Sequence, residues 1–215
     1  MRRQTRLVLW VAFVGMLIAI SYAGRASEGR PPKDVLYRYG TAVSGLTTYA
    51  LLLAVVVAIA GASRVLLGLR RPVSWRAALG GCVVVFVGIM VVASALDPFL
   101  HGGQEQGLTP SGWDSARAAQ YAANVAVIAV VAPIVEELTY RGLGYSLLAD
   151  YGRWTAIVVT ALLFGLSHGL VQALPVLVAF GLGLAWLRSR TDSVYPGMLV
   201  HATFNGLALA LAVTV

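Results

Sequence analysis

Apolar residues run through this chain in stretches near twenty residues long, with charged residues gathered at their ends. The candidate stretches are 7–23, 42–62, 77–97, 121–148, 154–171, 173–188 and 196–214. A helix that crosses a bilayer needs about 20 mainly apolar residues. The pattern therefore predicts an all-α fold, a polytopic transmembrane helical bundle of about seven spans, within a range of six to eight. The fifth and sixth stretches are short and closely joined through "HGLVQALP". No internal repeat or low-complexity segment interrupts the series. Residues 1–120 read as N-terminal helices and loops, residues 121–215 as the part that holds the chemistry, and the whole as one integral membrane domain.

Composition agrees with this pattern. Of 215 residues, 59% are hydrophobic and 12% charged, and the mean hydropathy is +0.80. Soluble domains average about 45–50% apolar and about 25% charged. An excess this large points to the lipid bilayer as solvent. The net charge of +7 would raise nucleic-acid binding in a soluble domain. Here no basic stripe interleaves with aromatics, so no nucleic-acid partner is expected. The arginines instead flank the apolar runs. With seven alternating spans, Arg2, Arg3, Arg6, Arg64, Arg70, Arg71, Arg76, Arg153, Arg188 and Arg190 fall on one side. The other side carries Arg25, Arg30, Lys33, Arg38 and Arg117, offset by Glu28, Asp34, Asp97, Glu105 and Asp114. The first side is expected to face the cytoplasm, placing the N-terminus inside, in what reads as a prokaryotic plasma membrane.

Three features are weighed and set aside. The start "MRRQTR", "LVLWVAFVGMLIAI", "SYAG" has the outline of a cleavable signal, but in a chain with many later spans an uncleaved first helix is expected. Cys82, the single cysteine, lies in the apolar run "GGCVVVFVGIMVV" and reads as a small buried hydrophobe. "LDPFLHGGQEQGLTPSGWDS" (96–115) reads as an exposed polar loop, with His101 a solvated loop residue.

The stretch "VAPIVEELTYRG" (131–142) breaks the apolar pattern. Ionisable groups inside a membrane are costly, and an idle one is hard to account for. On a helix Glu137 and Arg141 are four apart, share a face and can pair. Glu136 points about 100° away, so one carboxylate is matched to arginine and the other is left for proton transfer. Pro133, one turn earlier, loosens the helix and offers a way in for water. A buried pair that merely locks helices would explain Glu137 and Arg141 but not Glu136.

Two further polar constellations follow. "FGLSH" sets His168 four residues after Phe164, and "HATFN" sets His201 four before Asn205. Each spacing puts both side chains on one helical face. Glu136 lies fourteen residues before Asp150 and His168 fifteen after Arg153, so both sit roughly 20 Å from the turn that joins their helices. His201, nine residues past Asp192, is shallower, at roughly 14 Å.

"EELTYR", "FGLSH" and "HATFN" fit EExxxR, FxxxH and HxxxN, in that order, in the C-terminal half of a hydrophobic chain. The combination resembles the CPBP family of intramembrane proteases, also called the Abi or type II CaaX-protease family, over roughly residues 120–210. Thr139 and Tyr140 stand where the family often has bulkier aliphatic and Phe residues. The resemblance implies an endopeptidase that cleaves a membrane-associated protein or peptide: a CaaX-type tail, a leader peptide or a C-terminal sorting signal. It implies Glu136 as general base on water, Glu137 and Arg141 as its support, and His168 positioning the water. His201 and Asn205 would stabilise the oxyanion. Metal dependence is also implied for some members; no HExxH is present, and Glu136, Glu137, His168 and His201 are the candidate ligands for Zn²⁺. A proton-coupled transporter or channel and a non-catalytic membrane scaffold are the alternatives. Neither inverted repeats nor paired broken helices favour the first. The sequence does not set the oligomeric state.

Overall fold

Backbone N–H and C=O groups in lipid have no water to bond, so apolar runs of this length satisfy them within helices. The computed structural model describes residues 1–27, 34–100, 105, 110 and 112–214, and no strand occurs among them. The long helices are α1 (Arg3–Ser27), α2 (Tyr39–Ala60), α3 (Trp75–Leu100) and α4 (Ser115–Tyr151). Three shorter ones follow: α5 (Arg153–Leu166), α6 (Leu174–Thr191) and α7 (Tyr195–Ala212). Helices α1 to α4 are long and apolar enough to cross a membrane, while α5 is a shorter apolar helix. The all-helical expectation is borne out. By length and apolarity, four spans are established among the described residues, with further shorter apolar helices after them. Within 18 residues each, α6 carries Arg188 and Arg190, and α7 carries His201 and Asn205. His101 lies outside the described residues.

Helix α4 is not regular. Its winding widens to the π form over Val127–Val131 and again over Leu138–Gly144, on either side of the short α-helical segment Ala132–Glu137. Pro133 accounts for the first widening. It has no N–H to give, and its ring crowds the carbonyl four residues back. In the π register the missing donor belongs to Ile128, and the Asn205 amide of α7 supplies it instead, Nδ2 to O at 3.0 Å. The second widening recruits partners in the same way. Trp10 Nε1 of α1 donates to Thr139 O at 3.0 Å, and Arg188 Nε of α6 donates to Arg141 O at 3.0 Å. Irregular winding of this kind is concentrated at functional sites.

Around α4 the other helices close. Trp10, Phe13 and Val14 of α1 are buried, and Trp10 stacks directly over Gly144. Helices α5 and α6 form a hairpin in which Gly181 meets the Ala161 backbone; a Cβ there would stand 3.0 Å from Ala161 Cα. Small residues let apolar helices approach this closely. Charged contacts mark the two ends of the bundle. Arg3–Asp150, Arg70–Asp192 and Arg188–Asp192 gather at one end, and Arg25–Glu105 and Arg117 with Asp34 and Asp114 at the other. That grouping matches the two sides expected from the alternation of arginine clusters.

Candidate active site

The two adjacent carboxylates of α4 enter different surroundings. The side chains of Glu137 and Arg141 are both 0% exposed and pair through Arg141 Nη1 and Glu137 Oε1 at 3.0 Å. The i, i+4 spacing survives the π winding between them. Arg141 Nη2 also donates to the Gly181 carbonyl at 3.1 Å, and its guanidinium carbon lies 4.3 Å from the Phe164 ring centroid. A buried ion pair repays its desolvation only when hydrogen bonds and close packing complete it; the Gly181 carbonyl and the Phe164 face supply part of that here. Glu137 Oε2 is packed against α7 at Gly197, where a Cβ would come to 2.5 Å. Only a residue without a side chain fits at that approach.

Glu136 keeps 16% of its side chain exposed. Its Oε1 accepts a hydrogen bond from the Tyr49 hydroxyl of α2 at 2.8 Å. Its Oε2 faces His201 Nε2 at 3.6 Å. The other nitrogen of His201, Nδ1, lies 3.2 Å from Glu137 Oε1. The imidazole of α7 thus stands between the two carboxylates, one at each ring nitrogen. Phe164 and Phe180 hold it edge-on, with centroids 5.6 and 5.1 Å away.

His168 occupies the turn after α5. Its Nδ1 faces the Phe164 carbonyl at 2.8 Å. A carbonyl only accepts, so Nδ1 carries a hydrogen towards Phe164 and Nε2 is the ring nitrogen turned away from that bond. The His168 ring lies 4.8 Å from Phe164, on which His201 and Arg141 also rest. Gly169, with φ +66°, passes close to the Ser21 carbonyl of α1, and Ser21 Oγ donates to Ser167 O at 2.7 Å. This turn is therefore clamped by the first helix.

Of the six residues singled out in the sequence, Glu136, Glu137, Arg141 and His201 meet directly. His168 joins them through Phe164, and Asn205 is occupied with the Ile128 carbonyl. By residue count His201 is the shallower histidine, yet it is His201 that touches the carboxylates, while His168 packs on Phe164. The π winding between Glu137 and Asp150 adds residues without adding rise, so residue counts exaggerate the depth of Glu136. Tyr49, Phe180 and Gly197 belong to the site and carry no motif that would have announced them. Among the described residues, no group of three or more His, Cys, Asp or Glu is placed to hold a metal ion. With Glu137 and Glu136 at opposite nitrogens of His201, and Arg141 already on Glu137, the donors as placed do not fit a shared ion.

Residues 118–207 match the family model described as Rce1-like, type II CAAX prenyl endopeptidase Rce1-like. The resemblance carried by the three motifs is borne out over that stretch, which contains all seven motif residues. The family is one of membrane proteases, and with four helices apolar enough to cross a bilayer the chain is an integral membrane protein. No curated protein and no solved structure matches it.

Proposed function

We propose that the chain is an intramembrane endopeptidase that hydrolyses a peptide bond of a membrane-associated protein or peptide, with Glu136 activating the water. The observation that carries this reading is the contrast between neighbours: Glu137 is 0% exposed and bound to Arg141, whereas Glu136 is 16% exposed. Only Glu136 is reachable by water and free of a guanidinium. In the attack, the water oxygen bonds to the substrate carbonyl carbon, its proton passes to Glu136, and the carbonyl electrons move to oxygen. Collapse breaks the C–N bond, and Glu136 returns the proton to the departing amine. His168, whose Nδ1 is taken up by the Phe164 carbonyl, would orient the attacking water through Nε2. His201 Nε2 stands 3.6 Å from Glu136 Oε2, where an Nε2–H would meet the developing oxyanion. The second amide hydrogen of Asn205 is available for the same oxygen. No step is routed through a metal, and Zn²⁺ chelators are expected to leave the rate unchanged.

The site is proposed to work in a prokaryotic plasma membrane, on the ground of composition, with the N-terminus in the cytoplasm, on the ground of the arginine distribution. A prenylated tail ending in Cys-aliphatic-aliphatic-X is the substrate class to try first, given the family description. The test compares membrane proteomes of cells that carry wild type or Glu136→Gln. An uncleaved species should accumulate only with Glu136→Gln, and purified wild type should cleave a quenched-fluorescent farnesyl peptide of that form. Identical proteomes, together with cleavage by well-folded Glu136→Gln at the wild-type rate, would overturn the assignment.

A further inference from the structure

The proposed chemistry leaves one close contact without a role. Tyr49 lies on α2, outside the matched residues 118–207, and its hydroxyl donates to Glu136 Oε1 at 2.8 Å. We propose that Tyr49 is a positioning residue, whose hydroxyl fixes the rotation of the Glu136 carboxylate so that Oε2 is the oxygen presented to water. The inference rests on reading Glu136 as the base.

Three observations support it. A tyrosine in an apolar helix needs a partner for its hydroxyl, and here the partner is the partly buried Glu136 carboxylate rather than a backbone carbonyl. The terminal torsion of a glutamate is broad and roughly twofold, so an unheld carboxylate would exchange its oxygens. A bond from a hydroxyl to an ionised acceptor is among the stronger ones and removes that freedom. Lastly, α2 is set close to α4 one turn before Tyr49. A Cβ at Gly45 would stand 3.1 Å from Val127 Cγ1, and at i, i+4 Gly45 and Tyr49 share a face. The close approach at Gly45 brings the hydroxyl within reach. With His201 Nε2 across from Oε2 at 3.6 Å, each oxygen of Glu136 is given a separate task.

The test is Tyr49→Phe, which keeps the ring and removes the hydroxyl. On the quenched-fluorescent farnesyl peptide, kcat should fall on the order of ten- to a hundredfold, the range that misplacing a reacting group produces. KM should stay unchanged. In a Glu136→Gln background the same substitution should cost nothing further, because the hydroxyl acts only through the carboxylate. An infrared readout needs no substrate: the carboxylate band that disappears in Glu136→Gln should shift in Tyr49→Phe. If Tyr49→Phe fails to accumulate, 3,5-difluorotyrosine at position 49 keeps the shape, donates more strongly, and should shift the band the opposite way. An unmoved band would overturn the contact. A moved band with wild-type kcat, or equal losses of stability, KM and kcat, would overturn the positioning role. Full activity in Glu136→Gln would instead sink the base assignment, while the band still reports the contact.

Discussion

Glu136 and Glu137 are neighbours in sequence and lie in different media. On the Glu137 side of α4 the charge is enclosed: Arg141, the Gly181 carbonyl, the Phe164 ring and the bare backbone of Gly197 leave no room for solvent. On the Glu136 side the carboxylate meets a phenol and the edge of an imidazole and keeps 16% of its side chain exposed. The helix makes the division, since successive residues point about 100° apart. One peptide bond thus separates an enclosed, arginine-paired carboxylate from a partly open one, and His201 touches both. The comparison teaches that the enclosed carboxylate anchors the imidazole from one nitrogen and so leaves the open one room to act.

If the division is right, removing charge from the two sides has different consequences. The largest effect is expected on the open side. Glu136→Gln preserves shape and can still accept from Tyr49, but cannot take up a proton. General-base assistance is worth roughly 10²–10⁴-fold, so cleavage of the farnesyl peptide should fall by at least the lower figure while the melting temperature in detergent holds. Glu137→Gln should lower both rate and melting temperature. Equal behaviour of the two variants would erase the comparison.

Next comes the enclosed side. Arg141→Ala strands Glu137 without its cation and empties the space over Phe164. Breaking one partner out of a buried pair costs about 3–5 kcal/mol, which should appear as poor accumulation in membranes and early unfolding. Arg141→Lys should recover only part, because an ammonium cannot reach Glu137 Oε1 and the Gly181 carbonyl with the same fork geometry. Normal yield of Arg141→Ala would show that the pair is not structural.

A smaller effect sharpens the boundary itself. Gly197→Ala would place a methyl 2.5 Å from Glu137 Oε2, and overpacking of this kind costs about 1–3 kcal/mol. His201 lies one turn further along α7, so a shift there should also reduce turnover. Loss of activity without loss of melting temperature would mean that α7 yields and carries His201 away from the carboxylates.

The enclosed side was the more legible in sequence, for a physical reason. An i, i+4 pair is local, and the helix that carries it follows from apolar length alone. The same is true of the helical fold, the arginine clusters at its two ends and the motif residues of α7. The contacts of the open side are not local. Tyr49 reaches Glu136 across 87 residues, and a single tyrosine in "TTYALLLAVVV" gives no sign of its partner. Winding was also hidden. Pro133 suggested a loosened helix, but the sequence did not show that the slack would become two π segments, nor that Asn205, Trp10 and Arg188 would pair with their carbonyls. That winding also falsified the counted depth of Glu136, against which the two histidines were compared.

The smallest expected effect is at the turn bearing His168, which is held by Glu105 from beyond the end of α3. Glu105 accepts from the N–H groups of Val171 and Ala173 at 2.9 Å each and pairs with Arg25 at 3.0 Å. Burial alone would raise its carboxyl, but the two backbone donors and Arg25 outweigh that and hold it below the usual value. A carboxylate depressed in the folded state stabilises fully above its unfolded pKa, and the contribution is lost as pH falls through the folded value. The window therefore lies in the acid range, below about pH 4. Exchange of the Val171 and Ala173 amides should quicken across that window in the wild type. In Glu105→Gln it should already be fast at neutral pH, with activity reduced only a few-fold, since His168 keeps its own bond to Phe164. Slow, pH-independent exchange in both proteins would show that the turn is fixed by α1 through Ser21 and Gly169 alone. His168 would then belong with the enclosed side of the site.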